Sequence, residues 1–254
     1  MRFGRLFTIL LLLFSLSFAW AGGMGFLQRL LPATPSLKSF TTELPGSWDR
    51  VYRIIALKSA VDGKLDKKNY IKIQYIPLVM QQTIIAVEDN RFYHHVGFDI
   101  EGILRAMLVN MQTGNFTEGG STITQQLVKN LFLSQEKTYG RKVEEVVLAI
   151  DMELRYSKEE ILEMYLNSIY FGSGAYGIGD AAKIYFAKAP VNLTLAECAL
   201  LAGLPNAPSL NSPYVNFSGA KQRQAIVLSV MTRHGYIGSE VAEEARLAPI
   251  KLAQ

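Results

Sequence analysis

Three motifs follow one another between residues 86 and 147: AVEDNRFYHHVGFDIEG (86–102), GGSTITQQLVKN (119–130) and EKTYGRKVEEVV (136–147). Two acidic residues, Glu88 and Glu145, bracket a stretch rich in hydroxyl, amide and basic side chains. Those polar residues are Ser121, Thr122, Thr124, Gln125, Gln126, Lys129, Lys137, Arg141 and Lys142. Hydroxyls and amides hydrogen-bond sugar oxygens, cations hold anions, and carboxylates transfer protons. The segment therefore predicts a site that binds a sugar and an anion.

Glu88 and Asp89 directly follow the apolar run TIIAV at residues 83–87. A helix that ended here would disfavour negative charge, because its C-terminus carries the negative end of the helix dipole. One interpretation of the two acids is the polar start of a loop. The other is a general base, a carboxylate whose pKa is raised by apolar neighbours and by a second acid. The sequence alone favours neither.

The third motif begins a predicted helix over residues 141–156. A stripe at helical spacing predicts one buried face, formed by Val143, Val146, Val147, Ile150 and Leu154. The opposite face carries Leu148 and Met152 beside Glu145, which would be unusual for a solvated face. We therefore expect a helix covered on two sides, with Glu145 in a cleft or in the interior. The alternative for Glu145 is an ordinary surface ion pair with Arg141, worth about 0.3 kcal/mol.

Helix signals dominate the chain beyond residue 76. Asp99 is predicted to cap a helix that runs through residue 111, with Gly114 just past its end. Further signals are the capping boxes of Ser157 with Glu160 and of Thr194 with Glu197, the stop at Gly203 and Pro205, and a last helix that opens at Ser239. The best strand candidate is YIKIQYI at residues 70–76. One mainly α domain follows from these patterns.

Composition narrows the class of protein only in part. The chain has 254 residues, 49% of them hydrophobic, and a net charge of +4. The hydrophobic content suggests membrane contact, and the mild positive charge fits an anionic lipid surface or a phosphorylated substrate as well as nucleic acid. The single cysteine, Cys198, excludes an intramolecular disulfide and a multi-cysteine metal site. It lies in an apolar run, so we expect a buried and inert thiol.

An uncharged apolar segment occupies residues 6–27, after Arg2 and Arg5. About 20 such residues suffice for a helix that crosses the bilayer, so we expect a transmembrane anchor after a short cytoplasmic N-terminus at residues 1–5. A cleaved signal peptide is the alternative, because small residues lie near Trp20. Both interpretations place the rest of the chain outside the cytoplasm. Residues 28–68 are expected to form a linker and lead-in, and residues 69–254 the catalytic domain.

Some motif matches carry no function. GSGAYG at residues 172–177 fits a dinucleotide fingerprint, but it follows a capped helix and not a strand, so a glycine-rich turn is the better interpretation. Two S-x-x-K matches, at residues 134–137 and 218–221, lack the K-T-G and S-D-N partners of acyl-serine enzymes. The adjacent His94 and His95 cannot face one metal as helix neighbours can.

The motifs resemble those of the peptidoglycan glycosyltransferases of glycosyltransferase family 51, in particular the monofunctional, membrane-anchored kind. The resemblance covers residues 76–213 and runs through all of the family's motifs in order. These are E-D-x-x-F-x-x-H-x-G at 88–97, G-G-S-T-I-T-Q-Q-L-x-K-N at 119–130, R-K-x-x-E at 141–145, ILEMYLNSIYFGSGAYGIGDAAKIYF at 161–186 and LTLAECALLAGLPNAPSLNSP at 193–213. The resemblance implies a mainly α, lysozyme-like fold with two lobes, the smaller of which dips into the membrane.

The resemblance also implies a reaction, the polymerisation of lipid II into β-1,4-linked glycan strands with inversion and release of undecaprenyl pyrophosphate. Glu88 would be the general base and Glu145 the second essential carboxylate. The substrate-binding residues would be Phe92, His95, Gly120, Ser121, Thr122, Gln125, Gln126, Lys129, Asn130, Lys137, Arg141 and Lys142. Asp89 could help to bind Mg²⁺ or Mn²⁺ with the pyrophosphate.

Two rival functions stay open on the sequence. A muramidase-like lytic enzyme could use a cleft glutamate as an acid, and a catalytically silent protein could serve as a membrane scaffold for wall synthesis. The expected partners are lipid II, the growing glycan, the membrane and other cell-wall synthases or division proteins, with no nucleic acid. The expected location is the bacterial cytoplasmic membrane, with the catalytic domain on its outer side.

Overall fold

Ten α-helices make up most of the backbone that the computed structural model describes, which comprises residues 57–65, 69–114, 119–133, 138–208 and 210–253. In chain order they are α1 (Leu57–Lys64), α2 (Leu78–Glu88), α3 (Ile100–Thr113), α4 (Ile123–Phe132), α5 (Tyr139–Arg155), α6 (Lys158–Ser168), α7 (Gly177–Phe186), α8 (Leu195–Ala202), α9 (Phe217–Arg233) and α10 (Ser239–Leu247). Within these ranges the β-structure consists of two isolated bridges. The prediction of a mainly α chain is confirmed. Helix α1 lies in the expected lead-in and buries Leu57 and Val61 in the core.

Side-chain caps fix two of the helix starts that the sequence predicted. Ser157 and Thr194 each accept a hydrogen bond from the backbone N–H three residues further on. The carboxylates of Glu160 and Glu197 in turn accept hydrogen bonds from the N–H groups of the two N-cap residues. Each box satisfies two of the backbone N–H groups that a helix start leaves without intrahelical partners. Helix α8 ends at Gly203, as predicted.

Asp99 occupies the predicted N-cap position of α3 but does not cap it. Its side chain makes no bond to the helix start, because Oδ2 accepts a hydrogen bond from Arg91 Nε at 3.0 Å. The other end of α3 follows the prediction, since Gly114 adopts the left-handed conformation (φ 65°) that favours glycine after a helix. The last helix also starts where the sequence predicted, with Gly238 as N-cap and Ser239 as first helical residue.

Ser157→Ala is expected to lower the free energy of unfolding by about 1 kcal/mol, because the N3 backbone N–H of α6 loses its acceptor. Ser239→Ala is the matched control, since the structure assigns no capping hydrogen bond at the start of α10. Chemical denaturation of both full-length variants measures the difference. An equal loss in the two would contradict the assigned cap.

The core is built around α8, in which every residue from Ala196 to Ala202 is buried. Helices α2 and α9 pack against it, and α4 packs against α6 nearby. Cys198 is fully buried here, and burial raises the pKa of its thiol to about 12. The prediction of a buried, inert cysteine is therefore confirmed.

The predicted strand at residues 70–76 is wrong. The segment contains a 3₁₀ turn at Ile73–Tyr75, and its backbone is bonded by side chains of α6. Ile71 N–H donates to Asn167 Oδ1 at 2.7 Å, and Ile73 N–H donates to Glu163 Oε2 at 2.7 Å. Asn167 Nδ2 donates in return to the Ile71 carbonyl at 2.8 Å. Because these side chains satisfy the backbone, the alternating pattern does not need a neighbouring strand.

The predicted buried stripe of α5 is also wrong. Val143 and Leu154 are 65% and 75% exposed, whereas Leu148 and Met152 are buried. Glu145 lies on the same face as Leu148 and Met152 and is 2% exposed, so that face turns inward. The helix is therefore covered on one side and not on two. The expectation of an interior Glu145 is confirmed.

The glycine-rich segment at residues 172–177 is a turn, as the sequence favoured. Gly172 has φ +86°, and a side chain there would collide with the Pro208 carbonyl. Gly177 has φ +80°, and a Cβ would lie 2.6 Å from the Asn167 carbonyl oxygen. Both positions thus need glycine for conformation and for close backbone approach.

Helix α3 exposes a continuous apolar face to the surroundings. The large apolar side chains exposed on this face are Ile100, Ile103, Leu104, Met107, Leu108 and Met111. None of the helices in the described part of the chain combines the length and apolar character that a bilayer crossing requires. The predicted anchor at residues 6–27 lies outside the described residues.

Candidate active site

Glu88 is the last residue of α2, where the apolar core meets the polar motifs. Its Oε2 accepts a hydrogen bond from Gln126 Nε2 at 2.8 Å. Its Oε1 is buried and has no hydrogen-bond partner among the residues that the structure describes. One oxygen of this carboxylate is therefore held in place, and the other has an unused acceptor position.

The surroundings of Glu88 shift its acidity in both directions. Burial raises the pKa of Glu88 above its ordinary value, while the hydrogen bond from Gln126 and the charges of Arg223 and Lys129 lower it. The neighbouring Asp89 adds a smaller effect that raises the pKa. Burial is the largest of these causes, which agrees with the interpretation of Glu88 as a base with raised pKa.

Helix α4 carries Gln126 and Lys129, which lie three residues apart and so share one face. The start of this helix is fixed by a capping box that the sequence analysis did not identify. Thr122 accepts from the N–H of Gln125, and the Gln125 side chain accepts from the N–H of Thr122. Thr122 Oγ1 also donates to the Gly97 carbonyl at 2.7 Å.

Thr122 and Gln125 were predicted to bind sugar and phosphate oxygens, but the structure does not bring them to the site. They are 2% and 1% exposed, and their polar atoms are used within the capping box. Their effect on the site is to fix the start of α4 and hence the position of Gln126. The sequence GGSTITQQ contains this Thr-x-x-Gln box, so the pattern could have been read as a cap.

Asp89 forms a buried pair with His95. His95 Nε2 lies 3.0 and 2.9 Å from the two carboxylate oxygens of Asp89. The N–H of Ile123, at the start of α4, donates to Asp89 Oδ2 at 3.0 Å. Asp89 thus ties the residues after α2 to the N-terminus of α4, where negative charge is favoured.

The predicted role of Asp89 in holding Mg²⁺ or Mn²⁺ does not fit this arrangement. Both carboxylate oxygens already accept hydrogen bonds from His95 or Ile123. Within the described ranges, no three His, Cys, Asp or Glu side chains come together in a way that could hold a metal ion. We therefore assign no bound cation to Asp89.

Phe92 and His95 were expected to shape the cleft. Phe92 is fully buried in the core, where Lys158 Nζ lies 4.5 Å from its ring centroid. His95 is also buried and lies edge-on to Phe92, with ring centroids 6.3 Å apart. His95 therefore supports Asp89, and Phe92 packs against His95, so both side chains belong to the interior.

The second carboxylate, Glu145, is buried and held by two cations. Arg141 Nη1 lies 2.9 Å from Glu145 Oε2, and Lys142 Nζ pairs with Glu145 Oε1. Lys142 also donates to Ser121 Oγ at 3.2 Å. The Arg141 and Lys142 side chains are partly exposed, so each cation is anchored at Glu145 and can still meet an anion from solvent.

The other predicted residues are placed as follows. Asn130 is exposed on α4. The backbone of Gly120 packs against Ile103, and a Cβ there would approach that side chain to 3.2 Å. Lys137 lies outside the described residues.

The sequence analysis missed two residues of this site. Tyr165, on α6, donates from its hydroxyl to Gln126 Oε1 at 3.1 Å. Arg223, on α9, contributes positive charge near Glu88. Tyr165 lies among the buried apolar residues of α6, where an aromatic residue predicts only core packing. Arg223 lies more than 130 residues from Glu88 in the sequence, so the local pattern gives no signal for either.

Comparison with known proteins agrees with the motifs. The family described as Transglycosylase matches residues 56–232. A Cupriavidus necator protein whose name describes it as a transglycosylase is 46% identical over 184 residues, which are 72% of this chain and 79% of the relative. Penicillin-binding protein 1A of Aquifex aeolicus is 43% identical over 228 residues, which are 88% of this chain and 30% of the relative.

This chain therefore spans less than a third of the length of the Aquifex aeolicus protein. Among solved structures, the crystal structure of penicillin-binding protein 1A from Haemophilus influenzae is 31% identical. The similarity covers 52% of this chain and 16% of that chain, with a TM-score of 0.36.

Proposed function

This chain belongs to the transglycosylase family, and we propose that it is a peptidoglycan glycosyltransferase that polymerises lipid II into β-1,4-linked glycan strands. One observation carries the proposal. Glu88 is a carboxylate whose Oε2 is fixed by Gln126 and whose Oε1 is buried without a hydrogen-bond partner in the described part of the chain. A base needs this arrangement, because it must be oriented and must keep one oxygen for the proton it removes.

In the proposed reaction, Glu88 takes the proton from the 4-hydroxyl of the acceptor sugar. The hydroxyl oxygen attacks the anomeric carbon of the growing chain, and the bond from that carbon to the pyrophosphate oxygen breaks. A single displacement inverts the α-linked pyrophosphate to a β-1,4 bond and needs no covalent enzyme intermediate. The electron pair of the broken bond leaves on undecaprenyl pyrophosphate.

Negative charge grows on the pyrophosphate as that bond breaks, and fixed cations would stabilise it. Arg141 and Lys142, held at Glu145, support this role because each remains partly exposed. Lys129 shares a helix face with Gln126 and thus lies toward the base. Glu145 orients the two cations before substrate arrives, so that little reorganisation is needed during the reaction.

A lipid-linked substrate requires the enzyme to work at a bilayer surface. The exposed apolar face of α3, and the exposed Val143, Val147 and Leu154 of α5, support contact with lipid. We assign the membrane anchor to residues 6–27 and the short cytoplasmic N-terminus to residues 1–5, which places the catalytic domain on the outer side of the bacterial cytoplasmic membrane. The finer fold that we propose is the lysozyme-like, two-lobed one, with α3 in the membrane-facing lobe.

The pH dependence of polymerisation follows from the state of Glu88. The pKa of Glu88 is raised, mainly by burial, and only the ionised form can accept a proton. Activity is therefore expected to fall as pH decreases through a pKa above the ordinary glutamate value, by about tenfold for each further pH unit. Initial rates of lipid II consumption between pH 4 and pH 9 measure this acid limb of the pH profile. An acid limb at or below the ordinary glutamate pKa would contradict the assignment.

The function itself is tested by incubating the full chain, in detergent, with fluorescent lipid II. The proposal predicts a ladder of long products on a gel, which a muramidase then digests. Finished glycan strands serve as a second substrate, and the protein should leave them intact. Release of soluble fragments from those strands, with lipid II untouched, would instead indicate a lytic enzyme, and no change in either substrate would indicate a scaffold.

A further inference from the structure

Tyr165, Gln126 and Glu88 form a chain of hydrogen bonds that runs from the core to the candidate base. The Tyr165 hydroxyl donates to Gln126 Oε1 at 3.1 Å, and Gln126 Nε2 donates to Glu88 Oε2 at 2.8 Å. Tyr165 itself is fully buried on α6. The reaction proposed above does not use this tyrosine.

The two ends of the Gln126 side chain are chemically different, so its orientation matters. With the N–H end toward Glu88, it donates to the carboxylate. With the opposite orientation, its carbonyl oxygen would face the carboxylate oxygen, and two acceptors would repel each other. A hydroxyl on the far side of the amide supports the first orientation when it acts as the donor, because its O–H then bonds to the carbonyl end.

Tyr165 is such a donor. Burial raises the pKa of its hydroxyl well above the ordinary tyrosine value, and the charges of Glu88 and Asp89 raise it further. The hydroxyl therefore keeps its proton at every pH at which the enzyme would work. It can give that proton to Gln126 Oε1 regardless of the state of Glu88.

We propose that Tyr165 is a positioning residue that sets the orientation of the Gln126 amide and thereby presents an N–H donor to Glu88. The consequence for the reaction rate rests on the proposed function, but the hydrogen-bond relay from Tyr165 through Gln126 to Glu88 does not. Tyr165 does not touch the reacting atoms in this account. It acts through Gln126 and leaves Glu88 Oε1 for the acceptor hydroxyl.

Other charged groups also face Glu88 and must stay unchanged in a test. They are Lys129 from α4, Arg223 from α9 and the adjacent Asp89. Among the described residues, Tyr165 from α6 is a further titratable neighbour. Tyr165→Phe keeps the ring and alters none of these charges, so a change in the titration of Glu88 would report on the relay.

In Tyr165→Phe the amide loses its far donor and can turn, so Glu88 receives a weaker hydrogen bond. Because that bond favours the ionised carboxylate, the pKa of Glu88 should rise by about one unit in the variant. Tyr185→Phe is the matched control. Tyr185 is also fully buried, and its hydroxyl donates to the Phe171 carbonyl at 3.0 Å, with no bond to Gln126 or Glu88.

The primary measurement is carbon-13 NMR of the full chain in detergent with labelled glutamate carboxyl carbons, with Glu88→Gln to assign the signal. The relay predicts a raised Glu88 pKa in Tyr165→Phe and in Gln126→Leu, and the parent value in Tyr185→Phe. The double variant should titrate like Gln126→Leu alone, since Tyr165 acts through Gln126. Thermal unfolding checks that each variant is folded.

An unchanged Glu88 pKa in Tyr165→Phe would overturn the proposal, as would an equal rise in Tyr185→Phe or a further rise in the double variant. If Tyr165→Phe does not fold, the parent pKa in Gln126→Leu would overturn the proposal, and a raised one would support the Gln126–Glu88 bond through which Tyr165 acts. The acid limb of kcat/KM on lipid II should move with the NMR value, whereas a merely structural defect would lower the rate at all pH values. Failure of the parent to polymerise lipid II would refute the proposed function and leave the NMR result to decide the relay.

Discussion

Glu88→Gln is expected to lower kcat for lipid II polymerisation by roughly a hundredfold to ten-thousandfold, the range that general-base catalysis supplies. Glutamine has nearly the same shape and can still accept the Gln126 N–H through its carbonyl oxygen. It cannot take the acceptor proton, because its other terminus is an NH₂ group. The loss should therefore appear in kcat, with KM changed much less.

The same substitution should not destabilise the protein. The folded-state pKa of Glu88 is raised, so its ionised form is disfavoured by folding, and the stability present at low pH is lost as pH rises through that pKa. Above it, Glu88→Gln removes a charge that burial opposes. We expect an equal or higher Tm near neutral pH, with the exposed Glu240→Gln as a control that keeps full activity. A lower Tm together with lost activity would suggest a structural role for Glu88.

Glu145→Gln is expected to lower kcat/KM by roughly a hundredfold, the scale of losing one preorganised charge-stabilising contact. Arg141 and Lys142 would lose the anion that orients them, so they would meet the leaving pyrophosphate less well. Unlike Glu88, Glu145 is stabilised by two cations in the folded state. Its replacement should therefore also reduce the free energy of unfolding by about 2 kcal/mol, the value of a hydrogen bond to a charged group.

Asp151→Asn is the matched control for Glu145→Gln. It lies on the same helix and pairs with Arg155 at 2.9 Å with the same i,i+4 spacing. We expect a small loss of stability, about 0.5 kcal/mol, and kcat/KM within about twofold of the parent, since nothing in the proposed reaction involves this pair. Equal kinetic losses in the two variants would show that Glu145 acts only through helix stability.

Local patterns in the sequence predicted those parts of the fold that short-range chemistry determines. The capping boxes at Ser157 and Thr194 and the glycine after α3 need only residues within one turn of the helix end, so their spacing is sufficient. The strand at residues 70–76 failed for the opposite reason. Its backbone is satisfied by Asn167 and Glu163, about 90 residues away in the sequence, and no local rule reports such partners.

Helix α5 shows why burial was harder to predict than helix formation. Both of its faces carry large apolar residues, so periodicity could not choose between them. The face that turns inward carries the buried Leu148 and Met152, and the Glu145 carboxylate on it is paired with Arg141 and Lys142. The outward stripe of Val143, Val147 and Leu154 is exposed, and the proposed contact with lipid would cover it.

The sequence predicted the carboxylates and cations of the candidate site but not the residues that hold them in position. Glu88, Glu145, Arg141 and Lys142 carry charges that stand out in an apolar context. Thr122 and Gln125 were polar for a structural reason, the Thr-x-x-Gln capping box that starts α4, and the sequence pattern could have shown that box. Tyr165 looked like a core residue and is one. Its hydroxyl is connected to the site only because Gln126, on another helix, lies within hydrogen-bond distance.

The central claim is that an ionised Glu88 drives glycan polymerisation. It is tested most directly by initial rates of fluorescent lipid II consumption for the parent chain and Glu88→Gln, measured side by side from low to high pH. The parent rate should rise with pH through a pKa above the ordinary glutamate value, and the variant should keep only a slow rate without that limb. A variant that consumes lipid II at the parent rate, or that keeps the same acid limb, would contradict it.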